Sequence, residues 1–195
     1  KYGLRAQERK EASVDPAEFG TYVHAVLEET VRDIMDMGGF RAVDLDTTLS
    51  IAMDHSKKYA SEHFGQLDSQ RLEYLFRRNA QELEMVVQEL WRELHQAKYE
   101  PAYFELQFDR DGQMPAIDIP ASSMPAKLRG FVDRVDTWQQ EGCTFVRVVD
   151  YKTGKKSFDL TDIRYGLGIQ MLLYLFTLAE KGEKFFNKEI VPAGV

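Results

Sequence analysis

The chain has 195 residues, of which 44% are hydrophobic and 29% are charged, and its net charge at pH 7 is −7. This length and hydrophobic content predict one folded domain, exclude a disordered chain, and argue against a surface that attracts nucleic acid through overall positive charge. The single cysteine, Cys143, excludes an internal disulfide framework and a multi-cysteine metal site, and no apolar run reaches the roughly 18 residues that span a bilayer, so we expect a cytoplasmic protein.

Three amphipathic helices are predicted in the first half of the chain. Asp15 is a plausible N-cap, Pro16 fits the first helical position, and the pair Gly38 and Gly39 ends the first helix. Asp46 or Thr47 is expected to cap the second helix, and the third carries a continuous apolar stripe. The predicted helices cover residues 16–37, 46–64 and 68–98, the last of them stopping before Pro101.

The hydrophobic period changes to two after Pro101. Short β-favouring segments separated by turn residues predict an antiparallel meander, with the segments before and after "QQEG" joined as a hairpin. A single closing helix is predicted over residues 161–182, followed by one more strand, "EIVPAGV". The two ends of the chain suggest a fragment of a longer protein. We expect one domain over residues 1–195, with a helical part (16–98) and a part formed by the sheet and the closing helix (101–195).

The stretch "VVDYKTGKK" places charged side chains at the end of an apolar strand. Alternate strand residues share a face, so Asp150 and Lys152 are expected to project together, and the hairpin brings Asp133 to the same level. By the same alternation Asp133 and Val135 share a face that Asp136 does not. Two carboxylates without cysteine suit Mg²⁺ or Mn²⁺. An ion pair at a strand end is the alternative, and the spacing alone leaves both interpretations open.

Other candidate residues also have two interpretations. His24 lies on the apolar face of the first helix, as a core histidine or as a ligand. Gln170 and Tyr174 are four residues apart on one helix face, either in a buried hydrogen bond or in a binding site. Glu105 is either a supporting acid near the site or a solvent-facing strand residue.

Four segments together carry a family resemblance: "GTYVHAVLE", "GFVDRVD", "VVDYKTG" and "GIQMLLYL". In this order and spacing they closely resemble the RecB-like family of the PD-(D/E)XK nuclease superfamily. Within it they look most like the nuclease domains of the AddB/RexB group, which belong to bacterial ATP-dependent helicase–nucleases. The similarity covers residues 19–195.

The resemblance implies a fold, an activity and partners. The fold is an α/β restriction-endonuclease-like core, in which helices flank a mixed sheet with an antiparallel meander, preceded by an N-terminal helical region. The activity is Mg²⁺- or Mn²⁺-dependent hydrolysis of DNA, as an exonuclease acting on single-stranded ends in double-strand-break repair and recombination. The partner is an AddA-type helicase–nuclease subunit.

The resemblance also assigns roles to residues of this chain. Catalysis falls to Asp133, Asp150 and Lys152. The metal ligands implied are His24, Asp133, Asp150 and the carbonyl oxygen of Tyr151. The expected substrate contacts are Gln170, Tyr174, Lys155, Lys156 and Arg134.

One feature departs from the AddB group, whose members commonly carry an iron–sulfur cluster held by four cysteines outside the nuclease core. This chain contains none of the four, and Cys143 matches none of their positions. We expect any such cluster to be held by residues beyond this fragment, unless this relative lacks it. Two other functions remain open: a free-standing RecB-like or Cas4-like nuclease, and a non-cleaving scaffold that binds DNA or a partner.

Overall fold

The structure is a computed structural model that describes residues 16–63, 70–119, 126–152, 160–166 and 168–195. The N-terminal part contains helices α1 (Pro16–Asp36), α2 (Leu45–His63) and α3 (Gln70–Gln96). All three lie within about two residues of their predicted bounds. Gly38 and Gly39 have φ angles of +105° and +86°, a backbone conformation that favours glycine and ends α1.

The cap of α2 differs from the prediction. The carboxylate of Asp44 accepts a hydrogen bond from the Thr47 backbone N–H at 2.7 Å, so Asp44 caps the helix in place of Asp46 or Thr47. This bond also lowers the pKa of Asp44. Asp44 and Asp46 are both of a residue type that caps helices, and the hydrogen bond to Thr47 identifies Asp44 as the cap.

The three helices share an apolar core, with α2 packed between α1 and α3. Polar groups at its edge are paired: Tyr22 OH and Ser56 Oγ are 2.8 Å apart, and Trp91 Nε1 donates to the carbonyl oxygen of Val43 at 2.9 Å. These bonds satisfy groups that would otherwise be costly to bury. The fully buried apolar residues include Val26, Leu27, Val31, Ile34, Leu83 and Val87.

The second part is built on a four-stranded sheet of order β1-β4-β5-β6, beside a two-stranded sheet of β2 and β3. Strands β1, β4 and β5 are antiparallel, whereas β6 runs parallel to β5. The predicted meander is therefore wrong in its pairing, since β1 pairs with β4 and not with β2, but the sheet is mixed, as the family resemblance implies. The strands are β1 (Glu100–Phe108), β2 (Ile117–Ile119), β3 (Ala126–Leu128), β4 (Gly130–Gln140), β5 (Cys143–Val149) and β6 (Glu189–Gly194).

The β4–β5 hairpin is confirmed. Its turn residues Glu141 and Gly142 have φ angles of +50° and +86°, as a tight turn that matches strand twist requires. Pro101, expected to mark the end of the third helix, lies inside β1, and α3 ends earlier, at Gln96.

The closing helix is broken in two, contrary to the prediction. Helix α4 (Leu160–Arg164) and helix α5 (Gln170–Lys181) are separated where Gly166 and Gly168 adopt φ angles of +79° and +66°. These glycines end one helix and redirect the chain before the next. A short helix, α6 (Glu183–Phe186), follows α5.

The sheet has different neighbours on its two faces. One face packs against α5, where Val135, Val146 and Val148 meet the buried side chains of Leu175 and Leu178. On the other face, side chains of β1 and of the segment after β5 pack against the helical core of α1, α2 and α3.

Strand alternation breaks at one level of the sheet. In β1, Phe104 packs on the helical core while Leu106 packs on the α5 side, although residues two apart normally share a face. Glu105 between them has a φ angle of +48°, which reverses the faces. In β4, Val132 and Val135 both pack on the α5 side, so the expectation that Asp133 shares a face with Val135 is wrong.

Among the described residues, no helix is both long and apolar enough to cross a membrane.

Candidate metal centre and active site

The β4–β5 hairpin sets the level of the two central aspartates. Arg134 pairs with Val149 in the antiparallel ladder. Asp133 precedes Arg134 and Asp150 follows Val149, so the next step of the ladder places these two residues opposite each other. This register accounts for the proximity that the sequence predicts.

Three potential ligands converge beside Asp133. One ligand atom each from His24 of α1, Glu105 of β1 and Asp133 of β4 lie within 4.8 Å of one another. The left-handed backbone at Glu105 turns its side chain toward α1, where burial and the carboxylates of Asp133 and Glu28 surround it. A left-handed backbone is strained for a residue other than glycine, and such strained residues cluster at functional sites.

The backbone of Tyr151 binds two of these residues. Its N–H donates to Asp133 Oδ2 at 2.6 Å, and its carbonyl oxygen accepts from His24 Nε2 at 2.8 Å. A carbonyl oxygen only accepts, so Nε2 carries the hydrogen, and in neutral His24 the lone pair of Nδ1 faces Asp133 Oδ2 at 3.5 Å. Two lone pairs then point at one space, which favours a cation or a proton between them.

The electrostatics of the cluster point the same way. Burial raises the pKa of Asp133 above its ordinary value, and the charge of Asp150 raises it further. Burial also raises the pKa of Glu105, with added repulsion from Asp133 and Glu28. Raised values mean that burial disfavours the ionised carboxylates, a cost that a bound cation would remove.

Asp150 and Lys152 form an ion pair just beyond β5. The Asp150 side chain is 22% exposed and that of Lys152 is 45% exposed, so both are accessible from solvent. The ion pair that the sequence offered as an alternative is therefore present. It lies beside the ligand cluster, because the Asp150 charge acts on Asp133.

Arg134 is not available as a substrate contact, which corrects that prediction. The residue is 1% exposed, and its guanidinium donates to both carboxylate oxygens of Asp136, at 2.7 and 3.0 Å, and to the Tyr151 hydroxyl at 2.6 Å. A guanidinium enclosed in this way cannot reach a nucleic-acid strand in this conformation. The charge of Asp136 is matched by Arg134 and Arg147, both of which donate to its carboxylate.

Gln170 and Tyr174 are joined by a hydrogen bond from Gln170 Nε2 to Tyr174 OH at 2.9 Å. Gln170 is exposed at the start of α5, whereas Tyr174 is fully buried, so only Gln170 faces solvent. Gly130 makes room for the pair, because a Cβ atom there would lie 2.0 Å from the Tyr174 hydroxyl. The absence of a side chain at Gly130 thus lets the Tyr174 hydroxyl of α5 approach the backbone of β4 closely.

A cavity of about 220 Å³ opens beside Lys152, between α1, α3 and the end of β5. Its walls are mostly apolar, and one side is formed by Tyr151 and Lys152. The lining residues are Phe19, Val23, Leu27, Glu82, Val86, Tyr151 and Lys152.

Apart from Arg134, Gln170 and Tyr174, the predicted site residues fall into two groups. His24, Asp133 and the Tyr151 backbone are in direct contact, with Asp150 and Lys152 adjacent. Lys155 and Lys156 lie outside the described residues. Glu105 belongs to the ligand cluster, although the sequence left its role open between two interpretations. The sequence feature that pointed to a functional role is a lone carboxylate in a mostly apolar strand, "AYFELQF".

Comparison with known proteins gives a consistent picture. The family described as "PD-(D/E)XK nuclease superfamily" matches residues 1–194. The chain is 33% identical over 199 residues to a protein of Clostridium tetani that is named as a subunit of an "ATP-dependent helicase/deoxyribonuclease", a match that covers all of this chain. Proteins with the same name from Thermoanaerobacter sp. and Acetivibrio thermocellus are 34% identical over 200 and 199 residues, also across the whole chain. The chain spans 17% of the length of each of these relatives.

Proposed function

Since this chain belongs to the PD-(D/E)XK nuclease superfamily, we propose that it is the divalent-cation-dependent nuclease domain of a bacterial helicase–nuclease. The observation that carries the proposal is the convergence of His24, Glu105 and Asp133 beside the Asp150–Lys152 pair. The relatives' name, which includes "deoxyribonuclease", supports DNA as the substrate.

The donor set fits Mg²⁺ or Mn²⁺. Carboxylates from Glu105, Asp133 and Asp150, the Tyr151 carbonyl and one imidazole form a hard, mostly oxygen set, and no cysteine lies among them. The facing lone pairs of His24 and Asp133, and the raised pKa values of the Asp133 and Glu105 carboxyls, favour a cation in this space. We assign His24, Asp133, Asp150 and the Tyr151 carbonyl as ligands, with Glu105 as an additional acid.

When bound, the cation supplies a Lewis acid for the phosphate and lowers the pKa of a coordinated water. The protein residues do the rest. Lys152 is proposed to balance the negative charge that develops on the phosphate during attack by water. Asp150 restrains the Lys152 side chain through their ion pair.

The substrate strand is proposed to pass Gln170, which Tyr174 holds in place, and Lys155 and Lys156, which would contact backbone phosphates. We propose single-stranded DNA ends as the substrate and exonucleolytic cleavage as the mode. A helicase partner of the AddA type would supply the strand during double-strand-break repair and recombination.

The test is a cleavage assay on end-labelled single-stranded and double-stranded DNA, with Mg²⁺, Mn²⁺ or a chelator. Lys152→Ala and Asp150→Ala should each lower Mg²⁺-dependent cleavage by about a hundredfold or more, because each removes a group that acts on the transition state or on the cation. Matched controls are Lys57→Ala and Asp54→Ala, which break an exposed ion pair on α2 and should leave cleavage unchanged.

Three results decide between the candidate functions. Unchanged cleavage in the Lys152→Ala protein would contradict the mechanism. Metal-dependent DNA binding without cleavage by the wild-type chain would support the scaffold. Cleavage that needs no partner and prefers no strand end would favour a free-standing nuclease.

A further inference from the structure

A buried network of charges lies directly behind Tyr151. Arg134 donates to Asp136 and to the Tyr151 hydroxyl, and Arg147 donates from Nε to Asp136 Oδ2 at 2.7 Å. Arg147 Nη1 in turn pairs with Glu93 Oε1 of α3 at 2.6 Å. Two positive and two negative charges are thereby balanced, and one end of the network is tied to the helical core.

Tyr151 connects this network to the candidate metal centre. Its hydroxyl is held by Arg134, while its N–H and carbonyl oxygen bind Asp133 and His24. The guanidinium of Arg134 also lies 5.5 Å from the centre of the Tyr151 ring. Contacts at both ends of one residue leave its peptide groups little freedom to rotate.

Stability alone does not explain why charges are placed here. Asp136 is fully buried and Arg134 nearly so, and a buried ion pair is often no more stabilising than well-packed apolar residues of similar volume. A bidentate guanidinium does provide fixed geometry, which an apolar contact does not.

We propose that Arg134 and Asp136 are positioning residues that act through the Tyr151 hydroxyl. They hold the Tyr151 peptide so that Asp133 and His24 keep the spacing that a divalent cation needs. This inference rests on the proposed metal-dependent function. In this proposal the side chains of Arg134, Asp136 and Tyr151 act on the ligands and do not themselves bind the cation or DNA.

Tyr151→Phe tests the inference because it removes one oxygen and keeps the ring. Partners that orient ligands typically change metal affinity by about 10–100-fold when removed, so Mn²⁺ affinity measured by calorimetry without DNA should fall by at least about tenfold. The kcat measured at saturating DNA should fall together with the Mn²⁺ affinity. The Kd for DNA, measured in buffer containing Ca²⁺, should stay the same. Tyr22→Phe is the matched control, since it also removes a buried hydroxyl bond, to Ser56 at 2.8 Å. That control should leave Mn²⁺ affinity unchanged.

Arg134→Lys gives an independent variant that keeps the charge but loses the forked geometry. It should weaken Mn²⁺ binding to a similar extent. The double variant Arg134→Lys/Tyr151→Phe should bind Mn²⁺ no more weakly than either single variant, because each change removes the bond from Arg134 to the Tyr151 hydroxyl, the one through which the network is proposed to act. Circular dichroism and the Tm identify any variant that fails to fold.

The outcomes separate this inference from the proposed function. Wild-type protein that neither binds Mn²⁺ nor cleaves DNA would overturn the proposed function. Wild-type protein that does both, with Tyr151→Phe and Arg134→Lys folded and equal to it in Mn²⁺ affinity, would overturn the positioning role alone.

Discussion

On the α5 side the four-stranded sheet presents apolar residues such as Val146 and Val148, whereas on the side of α1 and α3 the same strands present Arg134, Asp136 and the carboxylate cluster. The α5 face is held together by apolar packing, which does not depend on the direction of individual contacts. The other face depends on hydrogen bonds and charges whose geometry is specific. Adjacent residues of one strand can therefore serve stability and chemistry separately.

At the level of the proposed metal centre, strands β1 and β4 change which of their alternating residues face each side of the sheet. Glu105, with its left-handed backbone, and Asp133 lie where β1 and β4 lose regular alternation. This irregularity brings two acidic side chains to the helical side, next to His24, while Leu106 and Val132 stay in the α5-side core. The comparison predicts that changes on the α5 face alter stability, and that changes on the other face alter metal binding.

The largest expected effect on stability is on the α5 face. Leu178→Ala removes a fully buried side chain and should lower the free energy of unfolding by about 2–5 kcal/mol, measured by urea titration. Phe176→Ala, on the exposed side of the same helix, should change it little. Mn²⁺ affinity should be unaffected in both; a loss of affinity in folded Leu178→Ala protein would contradict the separation of the faces.

Gly130→Ala probes the polar contact between Gln170 and Tyr174 on the α5 side. The added Cβ would lie 2.0 Å from the Tyr174 hydroxyl but 3.3 Å from Cζ, so the variant should lose about 1–3 kcal/mol and the double variant Gly130→Ala/Tyr174→Phe should recover most of it. Gly194→Ala is the control, because nothing lies within 4 Å of its added Cβ. If Tyr174→Phe fails to rescue stability, close approach is not the reason for the glycine.

Asp133→Asn should have the smallest effect and the opposite sign. Because burial raises the pKa of Asp133, its proton is bound more tightly in the folded chain, and the associated stability is lost as pH rises through the folded-state pKa. The asparagine variant should therefore have a higher Tm than wild type at pH 8 in the presence of a chelator, with the difference disappearing below about pH 4. Asp54→Asn, at an exposed position, serves as the control. Mg²⁺ should raise the Tm of wild type only, and a lower metal-free Tm for Asp133→Asn would reverse the interpretation.

Local patterns predicted much of this molecule. Helical periodicity and the glycines after α1 predicted the three helices. The four motifs predicted the family, which the comparisons confirm. The hairpin was predictable because its turn sequence and the strands beside it are local. The roles assigned to Asp133, Asp150 and Lys152 remain predictions, although the structure places these residues close together.

The remaining features depend on contacts between distant segments. Period-two patterning does not specify a partner, so the pairing of β1 with β4 and the parallel pairing of β6 with β5 were not predictable. Arg134 resembles a surface residue in the sequence, but in the fold it is buried with its guanidinium bound to Asp136 and Tyr151. The left-handed Glu105 has no local signal, since glycine is the residue expected at such an angle.

Strand β6 has a further consequence for how the protein behaves in solution. Among the described residues it is the last strand of the sheet, and an unpaired sheet edge is a ready template for association between copies of a chain. Pro192 lies in the middle of β6 and has no amide hydrogen to offer to a new neighbour. The residue that confines β6 to an edge position thus also discourages edge-to-edge aggregation.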